Sequence, residues 1–249
     1  MLAAFLAFLF LSTAGESPKP TESQCENAVE TQCVPEKVVA EQPKIAPVLA
    51  AKGLGYYEPI DKSTPVLELK TFDKASVDGF LAKFKELDGK TEEIWVRIDS
   101  LGGSVFGGQE LIRGMEIAKS NVVCVVDWKA YSMAFYVLQS RGCDFRLMTK
   151  RSSLMAHEPS TESGGNAGSL RDDADLLDAL NEGFLVTAAE RMNMTVAALR
   201  AKTERRTWWL DYKGAEKYHA IDGWVDPSDI PAPEPVAAKK SFLELLLGG

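Results

Sequence analysis

Residues 127–142, DWKAYSMAFYVLQSRG, join a run typical of a buried strand to a run typical of a helix. The preceding VVCVVDW is apolar and rich in valine, whereas MAFYVLQSRG is helical and ends at Gly142. Ser132 stands at the junction. No glycine flanks it, so the G-x-S-x-G turn of the α/β-hydrolases is excluded. Ser132 is therefore either a nucleophile or an ordinary serine that caps a helix.

Strand and helix patterns alternate on both sides of this junction. This alternation predicts an α/β fold, a largely parallel sheet covered by helices. The predicted strands are PVLELKTF, EIWVRIDS, VVCVVDW, DFRLMT and SSLMAHE. The predicted helices are SVDGFLAKFKELDG, GGQELIRGMEIAKS, MAFYVLQSRG, SLRDDADLLDALNEGFLVTAAERM, TVAALRAKT and KGAEKYHAID.

The 249 residues divide into four predicted regions. Residues 1–14 contain an unbroken apolar run, too short for a membrane span of about 20 residues, and are typical of a signal peptide. An alternative is a short apolar N-terminus on a cytosolic or viral protein. Residues 15–65 are predicted to be a poorly ordered arm, 66–228 the globular domain, and 229–249 a Pro-rich linker with an apolar tail.

Charge and cysteine content narrow the partners. The net charge is −8, and no stretch of the sequence collects lysine and arginine residues on one face. We therefore expect no nucleic acid partner. Cys25 and Cys33 follow the predicted signal peptide, and in an exported protein they could form a disulfide. Metal binding by these two cysteines is the weaker alternative, because no histidine or other cysteine lies nearby. We expect no metal and no cofactor in the function of this chain. Cys124 and Cys143 lie in apolar surroundings and are predicted core residues.

A serine nucleophile needs a base, and the chain has only two histidines. His157 ends a short apolar strand, where functional groups tend to collect, whereas His219 lies on a polar helix and is a predicted surface residue. The N–H of Met133, at the start of a helix, is free to bind a developing oxyanion. A second donor is expected from IDSLGGSVFGG, where glycines allow close approach. That segment lacks the lysine and spacing of a phosphate-binding loop.

The segments IDSLGGSVFGG, AYSMAFYVLQSRG and LMAHEP occur in an order that resembles the ClpP family of serine peptidases. Gly103 precedes Ser132 by 29 residues, and His157 follows it by 25. The resemblance covers roughly residues 66–225. It implies the ClpP/crotonase-type fold, built from repeated β-β-α units. It also implies Ser132 as nucleophile, His157 as general base, and the N–H groups of Gly103 and Met133 as the oxyanion hole.

By the same resemblance, the chain is a serine-type endopeptidase that hydrolyses peptides or unfolded proteins through an acyl-enzyme. Subunits of this family form homo-oligomers of stacked rings. A Clp-type ATPase is a partner only if the protein is cytosolic. If the signal peptide is real, the protein is exported or periplasmic and acts without that ATPase; the alternative location is the cytoplasm.

The third member of the family's triad, an aspartate, has no clear counterpart here. In TERRTWWLDYKGAEKYHAIDGW, alignment on Trp209 puts Thr207 at that position, and alignment on TER puts Arg206 there. Neither residue is a carboxylate. Thr207 and Asp211 are weak candidates for the third member, and Glu204 is another possibility. Loss of the orienting acid costs several orders of magnitude in rate in serine proteases.

Three other interpretations stay open. One is a non-catalytic ClpP-like subunit that builds a ring or binds peptides. Another is a membrane-associated Ser-Lys protease of the signal-peptide-peptidase type, with Lys129 as the base. Lys129 lies three residues before Ser132 on a strand and is expected to point away from it. The last, a crotonase-type acyl-CoA enzyme, shares the fold but needs no Ser-His pair.

Overall fold

A computed structural model of the protein describes residues 55–57 and 63–232. The strands within this part are β1 (Val66–Leu69), β2 (Glu93–Ser100), β3 (Asn121–Tyr131), β4 (Phe145–Met148), β5 (Ser153–Ala156), β6 (Trp208–Leu210) and β7 (Gly223–Trp224). The helices are α1 (Lys74–Leu87), α2 (Val105–Glu116), α3 (Met133–Leu138), α4 (Ala167–Arg191), α5 (Val196–Thr203) and α6 (Tyr212–Lys217), with a 3₁₀ turn at Pro227–Asp229.

The sheet is mostly parallel, which confirms the predicted α/β fold. Its main path runs β1-β2-β3-β4-β7 with every neighbouring pair parallel. β5 pairs in parallel with the last residues of β3, and β6 pairs antiparallel with β5. The sequence did not predict β6 or β7, which have only three and two residues. The β3-β5-β6 arrangement brings the ends of three strands together beside Ser132.

β3 is buried on both faces, as expected for a central parallel strand. Val122, Cys124 and Val126 face the larger core beneath the helices. Val123 and Val125 face a smaller core on the other side of the sheet, together with Tyr57, Val66, Trp95, Phe145, Leu147 and Val225. Because the strand is packed on both sides, its end is a rigid support for the residues that follow it.

Cys124 and Cys143 are fully buried, as predicted, and they form a disulfide that the sequence did not predict. Their Cα atoms are 5.5 Å apart, within the usual range for a disulfide. Cys124 lies in β3, and Cys143 lies between α3 and β4. The covalent link therefore joins the central strand to the far end of the segment that contains Ser132.

A partly buried ion pair, with Arg146 buried and Asp222 half-buried, holds the region after α3. Arg146, on β4, donates to both carboxylate oxygens of Asp222 and to the side-chain oxygen of Gln139, at the end of α3. Gln139 in turn donates to the backbone carbonyl of Ala220. Burial alone would raise the pKa of Asp222, but the hydrogen bonds and charge of Arg146 lower it overall. This network attaches α3 to β4 and to the turn before β7.

Several predictions concern residues outside the described part. They are the signal peptide at 1–14, most of the arm at 15–65, the Cys25–Cys33 pair and the tail from residue 233 onward. Among the described helices, none combines the length and apolarity that a membrane span requires.

Candidate active site

Ser132 is the sharp turn between β3 and α3. Its backbone has φ 55° and ψ −124°, a conformation that residues other than glycine seldom adopt. Its side chain makes no capping hydrogen bond to α3. The interpretation of Ser132 as an ordinary helix cap is therefore wrong. A strained serine at a strand-to-helix turn is a feature that occurs at functional sites, and its hydroxyl is not engaged by the helix that follows.

Neighbouring backbone groups hold this strained turn. The N–H of Ser132 donates to the carbonyl of Met155, on β5, at 2.8 Å. The carbonyl of Ser132 accepts from the N–H groups of Phe135 and Tyr136 at 2.9 and 3.4 Å. A backbone conformation of this kind costs on the order of 1–3 kcal/mol. These bonds and the buried packing of α3 offset that cost.

His157 lies beside the serine. Its Nε2 is 2.8 Å from the Oγ of Ser132, a hydrogen-bond distance. The register between β3 and β5 explains this position. Met155 pairs with Tyr131 in parallel, so the residues that follow β5 lie beside those that follow β3, and His157 comes close to Ser132. A base within this distance of a hydroxyl is positioned to accept its proton.

Tyr136 anchors His157 from α3. Its hydroxyl donates to the backbone carbonyl of His157 at 3.0 Å, and its ring stacks on Phe184 of α4. Burial, with a smaller contribution from the charge of Glu158, raises the pKa of Tyr136, so the hydroxyl stays protonated in alkaline solution. The sequence analysis missed this residue. Its signal was a hydrogen-bonding side chain one helical turn after Ser132.

The glycines after β2 approach the serine closely. A Cβ on Gly102 would lie 2.7 Å from both the carbonyl oxygen of Tyr131 and the Cβ of Ser132, and 3.0 Å from the N of Met133. Both Gly102 and Gly103 have positive φ, 95° and 146°. Met133 is the first residue of α3, so its N–H has no acceptor within the helix. The structure thus brings the glycine turn against the N–H of Met133.

The ladder between β5 and β6 brings Thr207 near His157. The antiparallel ladder ends at the pair Ala156 and Trp208; His157 follows Ala156 and Thr207 precedes Trp208, so both residues flank this end of the ladder. Thr207 is exposed. Across the described ranges, no carboxylate makes a hydrogen bond to the ring of His157.

The other candidates for the third position have different partners or positions. Asp211 is the N-cap of α6, where it accepts from the N–H of Gly214 at 2.8 Å. It follows Leu210, which pairs with Leu154, so it lies at the opposite end of β6 from Thr207. Glu204 is an exposed residue that ends α5. The geometry therefore favours Thr207 over Asp211 and Glu204 as the neighbour of His157.

Glu158, next to His157, orders the loop before Thr207. Its carboxylate accepts from the N–H of Arg205 at 2.9 Å, and Arg205 has a positive φ of 54°. The sequence analysis did not single out Glu158. A charged residue directly after the histidine was the available signal.

Lys129 and His219 lie where the sequence predicted them, away from Ser132 and at the surface, respectively. Lys129 forms an ion pair with Asp99, Nζ to Oδ1 at 2.6 Å, which directs its charge to a residue on β2 and not to Ser132. This pairing argues against a Ser-Lys dyad. His219 is exposed, as predicted, and it lies just after α6. The part of the chain that the structure describes has no cluster of side chains suited to a metal ion.

A cavity of about 320 Å³ lies behind Tyr136, between α2, α3 and α4. Ile112, Leu180 and Phe184 supply its apolar wall, and Arg113 lies among its lining residues. The cavity is lined in part by the same tyrosine that anchors His157.

Comparison with known proteins identifies the family. A model of the family described as Clp protease matches residues 57–227. ATP-dependent Clp protease proteolytic subunit 1 of Prochlorococcus marinus subsp. pastoris is 26% identical over 147 residues, which cover 59% of this chain and 74% of that protein. Subunit 2 of Parasynechococcus marenigrum is 27% identical over 151 residues, covering 61% and 76%.

The proteolytic subunit of Streptococcus mutans serotype c is 26% identical over 151 residues, which cover 59% of this chain and 76% of that protein. Each of these three relatives is matched over most of its own length. The family match spans more than half of the chain and contains both Ser132 and His157. The chain is therefore a ClpP-like member of the Clp protease family.

Proposed function

We propose that this chain is a serine-type endopeptidase that hydrolyses peptide bonds in peptides or unfolded proteins. The observation that carries the proposal is the 2.8 Å contact between His157 Nε2 and Ser132 Oγ at a serine with φ 55°. A hydroxyl in contact with an imidazole is the arrangement that activates a serine nucleophile. Membership of the Clp protease family supports the same conclusion.

The proposed chemistry is acyl transfer. Ser132 Oγ attacks the peptide carbonyl while His157 Nε2 takes the hydroxyl proton and later gives it to the leaving amine. The N–H groups of Met133 and Gly103 are the proposed donors to the oxyanion. Water then releases the acyl group by the reverse proton transfers. No metal or cofactor takes part in this scheme.

The third position is proposed to be Thr207, with Asp211 as the weaker candidate. A threonine hydroxyl can orient an imidazole, but it carries no charge to stabilise the imidazolium that forms during the reaction. We therefore expect a slower enzyme than one with a carboxylate, because replacing the aspartate of a serine protease triad by an amide lowers kcat about 10⁴-fold.

Covalent labelling with a fluorophosphonate probe tests the proposal. The full chain, purified and folded, is treated with the probe and its intact mass is measured beside Ser132→Ala and His157→Ala. Ser160→Ala is the matched control, because Ser160 is an exposed serine three residues after His157. Labelling of the wild type and Ser160→Ala, but of neither site variant, is the expected result.

Absence of labelling in the folded wild type would overturn the peptidase proposal. It would favour the second candidate, a non-catalytic ClpP-like subunit that builds a ring or binds peptides. The specific observation behind that candidate is that Thr207, which flanks the same end of the β5–β6 ladder as His157, is an exposed threonine and not a carboxylate. The Ser-Lys protease is the least supported alternative because Lys129 is paired with Asp99.

Assembly and location are also proposals. We infer a homo-oligomer of stacked rings from the family, to be tested by the solution mass of the purified chain. We further propose that residues 1–14 direct export, so that the enzyme acts without an ATPase. A cytoplasmic protein, with a Clp-type ATPase as partner, is the alternative. Cell fractionation, together with the mass of the mature N-terminus, distinguishes the two.

A further inference from the structure

We propose that the disulfide between Cys124 and Cys143 is a structural staple of the segment that carries Ser132, so that the stability of the mature fold depends on oxidation. The two cysteines are 19 residues apart and enclose the end of β3, the Ser132 turn and all of α3. The consequence for activity rests on the proposed peptidase function, whereas the consequence for stability does not.

The position of the bond explains why it acts on this segment. Cys124 is in the central strand, paired with Val96 of β2 and Arg146 of β4. Cys143 is held at its carbonyl by Arg191 of α4 and is followed by Asp144, whose carboxylate accepts from the N–H of Val122. Both ends of the covalent loop are thus attached to the rigid sheet.

The strained turn at Ser132 lies within that loop. The positive φ of Ser132 must be maintained by its surroundings, because the relaxed backbone would move the Oγ away from His157. Closing the loop lowers the conformational entropy of the unfolded segment and so favours the folded arrangement.

Because both cysteines are buried in the folded chain, the disulfide has to form during folding, before they become inaccessible. Both cysteines have no exposed surface, so neither a reductant nor an oxidant reaches them in the folded chain. In the forming step, the two thiols lose two protons and two electrons to a disulfide donor, which becomes a dithiol. Such donors act in oxidising compartments. The staple therefore fits a chain that folds outside a reducing cytoplasm, in agreement with the proposed export.

The first test is the state of the two thiols. The full chain is secreted or refolded with oxidised glutathione, alkylated without reductant under denaturing conditions, and mapped by peptide mass. We expect a linked pair of peptides containing Cys124 and Cys143. Alkylated, free thiols at both positions would overturn the proposal.

The second test measures what the bond contributes. Wild type is refolded with and without reductant, and the thermal midpoint Tm of each form is compared in the same buffer. For a loop of this length in a domain of this size, we expect Tm to be lower by roughly 5–10 °C in the reduced form. Failure of the reduced chain alone to refold also supports the staple. Equal Tm values would overturn it.

A matched pair of variants separates this bond from the other cysteines. Cys124→Ala/Cys143→Ala is expected to reproduce the lower Tm in oxidising buffer, while Cys25→Ala/Cys33→Ala retains the wild-type Tm. Fluorophosphonate labelling of the reduced, still folded wild type is expected to be several-fold slower than that of the oxidised form. If the oxidised form does not label at all but the Tm difference is found, the peptidase proposal fails and the staple stands.

Discussion

Gly102→Ala is the substitution that most directly tests the geometry around the nucleophile. Gly102 has φ 95°, a conformation that an L-residue adopts only at a cost on the order of 1–3 kcal/mol. The added Cβ would also lie 2.7 Å from the carbonyl oxygen of Tyr131 and the Cβ of Ser132. Neither atom is at the end of a flexible side chain, so the turn itself has to move.

The size of the displacement sets the expected loss of rate. Ordinary contacts between such atoms begin near 3.4 Å, so the glycine turn and the serine must separate by roughly 0.7 Å. The same Cβ would lie 3.0 Å from the N of Met133, the proposed oxyanion donor. A misplacement of about 1 Å at a reacting group costs on the order of 100-fold in rate. We therefore expect a fall of about that size.

The assay is the rate of fluorophosphonate labelling, followed by intact mass, together with Tm. Gly79→Ala is the control, since Gly79 lies in α1 with nothing within 4 Å of an added Cβ. That change should leave the rate unaltered and raise stability by up to about 1 kcal/mol. A folded Gly102→Ala protein that labels within twofold of the wild-type rate would refute the reasoning.

Three further substitutions have definite expected outcomes. Thr207→Asp should raise the labelling rate at least tenfold by giving His157 a carboxylate neighbour, and an unchanged rate would place the third residue elsewhere. Tyr136→Phe should cost about 1 kcal/mol in urea denaturation and slow labelling several-fold, because the His157 carbonyl loses its 3.0 Å donor; an unaltered rate would show that this anchor is unnecessary. Asp222→Asn should cost about 3 kcal/mol, because the buried guanidinium of Arg146 loses its only carboxylate partner among the described residues. The pKa of Asp222 is lowered in the folded protein, so the ion pair stabilises the wild type fully above about pH 4. That stabilisation is lost as the pH falls through the lowered pKa. The Tm of the variant should therefore lack this decrease in acid.

The order of strands and helices was largely predictable because local pattern and packing agree. The alternation around VVCVVDW corresponds to β3, α3 and their neighbours, and α1 ends two residues before its predicted stop at Gly89. The predicted stop of α3 at Gly142 was wrong, because that helix ends at Leu138. β6 and β7 escaped prediction because strands of three and two residues have too few positions for a periodic pattern. They exist because β5 and β4 offer open edges to pair with.

Ser132 and His157 could be proposed from the sequence because the order and spacing of motifs along a chain can be compared with those of a family without a structure. Residue types also indicated that the third position lacked an aspartate. Sequence could not choose between Thr207 and Asp211, because they flank opposite ends of β6 and only the β5–β6 register shows which of these ends lies beside His157. That register is set by pairing between residues about 50 positions apart in the chain.

Sequence by itself determined the α/β class and led to the proposal of Ser132 and His157 for proton transfer, since the first follows from local periodicity and the second from motif spacing. Only the tertiary structure decided the left-handed backbone of Ser132, which rules out a simple cap, and the disulfide between Cys124 and Cys143. Both depend on distances between segments that fold together. A strained turn persists only where packing from several strands holds it, and two cysteines bond only where the fold brings their Cα atoms to 5.5 Å.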